Sequence, residues 1–145
     1  MIAVDTNVLV GAIQTFDPKL RATARQAVKD LHRRGEELVS FPQNFVEFWN
    51  VATRPRKVNG LGLLPEQAAR YLDRFQILLR LLPDTSEIFP TWRDLVLRQK
   101  VSGIHVHDAR IVAAMIVHNV DRILTFDLDD FRRYSQINVV HPKTL

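Results

Sequence analysis

The chain has 145 residues, 46% of them apolar, 25% charged and 8% aromatic, with a formal net charge of +4. That length suits a single domain spanning 1–145, and the composition excludes a disordered tail or a collagen-like repeat. Cysteine is absent, so disulfides, thiolate metal sites and a cysteine nucleophile are excluded, and a reducing compartment such as the cytoplasm fits. Fifteen of the twenty basic residues are arginine. Guanidinium groups grip phosphate in a two-pronged fork, so this skew points to nucleic acid or an acidic protein partner.

In chain order, residues 2–4 read as a short buried strand running directly into Asp5-Thr6-Asn7. A charge inside MIAVDTNVLVGAI and the lack of a basic n-region argue against a signal peptide. No run reaches the eighteen apolar residues of a membrane span. From 20 to 34, Leu20, Ala24, Ala27, Val28 and Leu31 share one helical face while Arg21, Arg25, Lys29 and Arg33 share the other. Gly35 ends that helix. Glu37–Phe41 reads as a second strand, and Pro42 opens a helix over 43–53 whose only acid is Glu47.

The stretch 53–65 is loop-like and holds Arg54, Arg56 and Lys57. A helix over 66–76 and a short strand at Leu81–Leu82 follow. Thr85 or Ser86 is then expected to cap a helix carrying Ile88, Phe89, Trp92, Leu95 and Val96 on one side, which Gly103 breaks. Residues 108–118 form an almost wholly apolar helix, 121–125 a fourth strand, 126–134 a polar turn with a short helix, and 137–140 a fifth strand. Trp49 and Trp92 fit core faces. Strands alternating with helices imply an α/β fold with a parallel sheet covered on both faces.

Active sites of parallel sheets gather beyond the carboxyl ends of the strands. Asp5 directly follows the first strand and Asp127 the fourth. Asp108 opens the apolar helix, where exposed amides favour a carboxylate. Glu47 lies one turn into the helix after the second strand. These four acids are 42, 61 and 19 residues apart, yet all can face one crevice. Carboxylates packed together repel and hold a proton or a cation. Oxygen donors without cysteine suit Mg²⁺ or Mn²⁺, which is the chemistry a phosphodiester hydrolase uses. The competing reading makes Asp5 a turn cap, Asp108 an N-cap, Glu47 a member of a narrow solvated stripe and Asp127, Asp129 and Asp130 a surface acidic turn. His105 and His107 do not have zinc-ligand spacing, and His118 is expected to cap a helix end.

The segments VDTNVLV (4–10), the lone helical Glu47, HDARIVAAM (107–115) and LTFDLDDF (124–131) resemble, in order and spacing, the signature of PIN-domain ribonucleases, in particular VapC-type toxins of toxin–antitoxin pairs. The resemblance implies a three-layer α/β/α sandwich with a parallel sheet of four or five strands. It also implies Mg²⁺- or Mn²⁺-dependent cleavage of RNA, often transfer or ribosomal RNA, a homodimer and a cognate antitoxin. By motif position Asp5, Glu47 and Asp108 fall on the three most constant acids and Asp127 on the fourth, with Asp130 as its alternative. Thr6 and Thr125 fall where hydroxyls orient the first aspartate or a metal water, and Asn7 fixes the turn.

Hydrolysis with water as the nucleophile, rather than the ribose 2′-hydroxyl, gives 5′-phosphate and 3′-hydroxyl ends. Arg54, Arg56 and Lys57 are the best candidates to grip phosphate, and Arg110 is placed to pair with a carboxylate or a phosphate. The rival readings are a single-strand or structure-specific DNA nuclease and a non-catalytic RNA-binding protein of the same fold. The presence of all four acids argues against the second.

Overall fold

The computed structural model describes residues 1–145. Its strands are β1 (Ile2–Val4), β2 (Leu38–Ser40), β3 (Arg80–Leu81), β4 (Arg122–Leu124) and β5 (Asn138–Val140). The helices are α1 (Thr6–Ile13), α2 (Pro18–Arg33), α3 (Pro42–Thr53), α4 (Pro65–Leu78), α5 (Ile88–Arg98), α6 (Val106–Val117) and the single turn α7 (Leu128–Phe131). All strand pairs are parallel, in the order β3-β2-β1-β4-β5. The architecture is the expected α/β sandwich, with five strands and β1 at the centre.

Each interior strand alternates its side chains between two cores, as the period of two requires. Ile2, Val4, Leu38 and Leu124 face a cluster built on Val8 and Leu9 of α1, Leu31 of α2, Phe45 and Phe48 of α3 and Phe75 of α4. Ala3, Val39 and Ile123 face the other side, with Ile88 and Leu95 of α5, Ile111 and Met115 of α6 and Phe131 of α7. The nearly all-apolar α6 is thereby explained: five consecutive residues, Ile111–Met115, are buried between the sheet and its neighbours.

The strand order also locates a crevice. From β1 the chain builds outward through β2 to β3, then returns by α5 and α6 to place β4 on the opposite side of β1. The connections leaving β1 and β4 diverge to opposite layers, and a cleft opens beyond their carboxyl ends.

Several features depart from the sequence reading. The helix α5 ends at Arg98, with Lys100 at a φ of 51°, short of Gly103, and Phe89 is exposed rather than on its buried face. A helix, α1, occupies residues 6–13, where only a turn was expected; Asp5 caps it by accepting from the Thr6 amide. Its valines and glycine score poorly as helix formers, and burial of Val8, Leu9 and Gly11 against the core outweighs that propensity. Neither Thr85 nor Ser86 caps α5. Glu87 flanks that helix without a side-chain cap bond, and the Ile88 amide bonds the Thr85 backbone carbonyl instead. Finally, α6 begins at Val106, two residues earlier than expected, so Asp108 stands inside its first turn.

The 54–62 loop is folded tightly rather than draped. The Arg54 carbonyl accepts the Gly62 amide at 2.9 Å, and the Arg54 guanidinium returns to the Asn59 carbonyl at 2.9 Å. Gly60 lies against that backbone, where an added Cβ would sit 1.8 Å from the Arg54 carbonyl oxygen. No side-chain rotation relieves such an overlap. Gly60→Ala is expected to destabilise the protein by about 2–4 kcal/mol, read from urea unfolding, with wild-type stability contradicting this packing.

Candidate active site

Asp5 leaves β1 at the mouth of the cleft and is only 9% exposed. Its Oδ1 accepts the Thr6 amide at 2.8 Å, and its Oδ2 accepts the Thr125 hydroxyl at 2.7 Å. Thr125, fully buried just after β4, receives the Asn7 side-chain amide and the Asp127 backbone amide, each at 3.0 Å. Asn7 Oδ1 in turn accepts the Phe126 amide at 3.2 Å. Thus Asn7 and Thr125 bind the turn after β1 to the turn after β4 and fix the carboxylate between them.

Glu47 reaches the same cleft from α3. Its Oε2 accepts the Thr6 hydroxyl at 2.9 Å, and that hydroxyl accepts from the Asn44 amide at 3.2 Å. Its Oε1 accepts the Gln43 amide at 2.8 Å, one turn earlier on the same helix. Gln43 also donates to the His107 carbonyl at 2.9 Å, which ties α3 to the opening turn of α6 beside Asp108. Arg110 Nη1 donates to Gln43 Oε1 at 3.1 Å and Nη2 to Asp84 at 3.3 Å. Arg110 is therefore already paired with a carboxylate, Asp84, at some remove from the acids it follows in sequence.

A cleft of about 420 Å³ is lined by Asp5, Glu47, Asp108 and Asp130. Asp127 is exposed and is not among the residues that line the cleft, although its charge acts on Asp130. Of the two competing acids of the 124–131 motif, α7 therefore turns Asp130 inward. The donor atoms of His105, Asp108 and Asp130 lie within 4.8 Å of one another. Of the basic residues proposed for phosphate, Arg54 is bound into its own loop, Arg56 lines a neighbouring cavity and Lys57 is exposed.

Burial, and after it this concentration of negative charge, changes the acids themselves. Burial pushes the Asp5 carboxyl up to about 6, aided by Glu47 and Asp127 and opposed by the bonds from Thr125 and Thr6. Burial also raises Asp108 to about 7, and the charges of Asp130, Asp5, Glu47 and Asp127 raise it further. Asp130 is raised by burial and by Asp127, with His105 acting the other way. A divalent cation relieves such repulsion, and carboxylate oxygens with one imidazole form a donor set suited to Mg²⁺ or Mn²⁺. The residues present fit a metal.

The family profile described as PIN domain matches residues 2–137. The chain belongs to the PIN-domain family. Its fold is that of toxin–antitoxin structures at low sequence identity. FitAcB from Neisseria gonorrhoeae aligns at 17% identity and a TM-score of 0.69, covering 100% of both chains. VapBC-1 from nontypeable Haemophilus influenzae aligns at 15% identity and 0.69, covering 99% of each. VapC20 from Mycobacterium tuberculosis, a sarcin–ricin loop cleaving toxin, aligns at 18% and 0.64, covering 90% of this chain and 92% of that one. No curated protein matches the sequence.

Two features of this PIN domain escaped the sequence reading. Gln43 was unremarkable there because its partners lie 64 and 67 residues away. His105 was set aside for lack of zinc spacing, yet the turn at Gly103–His105 carries it to within 4.0 Å of Asp130.

The raised carboxyls predict a pH signature. Both aspartates hold protons to higher pH in the folded chain than the ordinary 3.8. The stability they lend is complete below about pH 4 and is lost as pH rises through about 6 for Asp5 and 7 for Asp108. Metal-free protein is thus expected to lose stability from these groups up to about pH 8, and excess Mg²⁺ or Mn²⁺ to restore it. Asp108→Asn should raise the metal-free midpoint at pH 8 by about 3–5 °C, allowing for the partial exposure of Asp108, and shrink the metal response. Scanning calorimetry across pH checks this; a midpoint indifferent to metal contradicts it.

Proposed function

We propose that this chain is a divalent-metal-dependent endoribonuclease, the toxin half of a toxin–antitoxin pair acting in the cytoplasm. The observation that carries this reading is the convergence of Asp5, Glu47, Asp108 and Asp130 from four separate elements onto one cleft at the strand-order reversal. Membership of the PIN-domain family and likeness in fold to VapBC and FitAB complexes support it. On this reading its partners are an RNA substrate, transfer or ribosomal RNA, a cognate antitoxin and a second copy of the chain; the likeness to toxin–antitoxin complexes supports the antitoxin. No helix is long and apolar enough to cross a membrane.

Asp5, Asp108 and Glu47 would hold the ion, with Asp130 or Asp127 as the fourth acid. When bound, the ion neutralises phosphate oxygens and lowers the pKa of water. The chain's own residues supply orientation. Thr125 and the Thr6 amide each occupy one oxygen of Asp5 and leave further lone pairs directed at the cleft. Thr6 and Gln43 do the same for Glu47, so neither carboxylate has to be ordered when substrate arrives. Asp130, which lines the cleft beside Asp108, is the acid placed to accept a proton from the attacking water.

The test is digestion of end-labelled total RNA and matched single-stranded DNA with Mg²⁺, Mn²⁺ or EDTA, alongside a folded Asp5→Asn/Asp108→Asn variant. Discrete RNA fragments with 5′-phosphate ends are expected, suppressed about 1,000-fold or more by EDTA and in the variant. Fragments that survive either control contradict the assignment. Cutting of DNA alone favours the DNA nuclease.

A further inference from the structure

The catalytic cleft does not end at its acids. A second cavity of about 440 Å³ adjoins it, and Gln14 and Phe16 belong to the walls of both. This cavity is lined by Ile13, Leu63, Tyr71 and Asn59, and its one charged residue is Arg56.

Phe16 is 75% exposed, and its ring stands where the two cavities meet. It is not on a loose loop. Gln14, only 2% exposed, donates to the carbonyls of Gly11 at 3.2 Å and Asp17 at 2.8 Å and accepts the Asp17 amide at 2.8 Å. Arg21 adds a bond to the Gln14 carbonyl, and Asp17 caps α2 through the Leu20 amide. A buried glutamine thus holds the α1–α2 connection rigid and presents the ring in advance, with little ordering left to do on binding.

Across the cavity, Tyr71 is fixed by the edge of Phe48 and by stacking on Phe75. The Arg56 stem lies over Gly62, where an added Cβ would come within 3.3 Å of it, and Arg56 makes no ion pair. A preset aromatic face, a mostly apolar hollow and one free guanidinium match a nucleotide: base on ring, phosphate on arginine.

We infer that the cavity between Phe16 and Arg56 is a subsite for the nucleotide flanking the cleaved bond, its base stacked on Phe16 and its phosphate held by Arg56. The inference rests on the nuclease reading, because continuity with the acidic cleft makes a single strand of RNA the occupant. It assigns Arg56, alone of the three loop cations, a direct contact, and gives the Phe16 ring a base to stack on.

The test is fluorescence anisotropy of a labelled, mixed-sequence single-stranded RNA with wild-type protein and variants in EDTA, where cutting is suppressed. Phe16→Ala is expected to weaken binding about 5- to 100-fold and Phe16→Trp to restore it, with thermal midpoints unchanged. Arg56→Ala should weaken binding and lower the salt slope by about one. On RNA that the wild type cuts with metal, Phe16→Ala should raise KM while leaving kcat in place. Wild-type affinity in Phe16→Ala overturns the subsite and leaves the nuclease reading standing; such a result assigns the exposed ring to a protein partner. A wild-type protein that neither binds nor cuts RNA overturns both.

Discussion

The hydrogen bond from the Thr125 hydroxyl to Asp5 crosses the centre of the sheet, where the connections leaving β1 and β4 part to opposite layers. Much else depends on that bond. Thr125 is fully buried and receives two amides while giving its proton to the carboxylate. A negative charge is thereby held in an almost closed position without any basic partner. The cost appears in the raised proton affinity of Asp5 and Asp108, and it is a cost that a divalent cation removes. A site that is poorly satisfied by the protein alone is well matched to a ligand from solution.

The rest of the molecule serves that arrangement. The two cores on either side of the sheet keep β1 and β4 in register, so the turns leaving them meet. On the α3 side, the two oxygens of Glu47 are held from different directions, by Thr6 across the cleft and by Gln43 along its own helix. Gln43 also reaches the α6 backbone next to Asp108 and is itself held by Arg110. One neutral side chain therefore sets the relation between two acids carried by elements far apart in sequence. A cation in its place would neutralise the site, whereas the amide orients it and leaves its charge available.

Much of this was legible in the residues. Short apolar runs ending abruptly in an acid marked both the strands and the position of Asp5. The lone acid in an otherwise apolar helix singled out Glu47. The helix α1 was not legible, because it begins with no intervening turn and its valines obscure the helical period. The choice between Asp127 and Asp130 was hidden for another reason. Both lie in one short acidic turn, and only the rotation of α7 decides which faces the cleft. Gln43 and His105 lay beyond sequence reasoning, since each acquires its role from residues that folding alone brings near. Arg54 shows the converse: a loop arginine that reads as a phosphate ligand is used to fold its own loop.

The proposed chemistry turns on whether these carboxylates form a single divalent-cation site. Soaking crystals of the protein in Mn²⁺ and recording anomalous diffraction tests it most directly. A strong peak is expected within bonding distance of Asp5 and Asp108, with Glu47 turned toward it and little movement of Thr125. No peak, or one confined to His105 and Asp130 with Asp5 unligated, would contradict it.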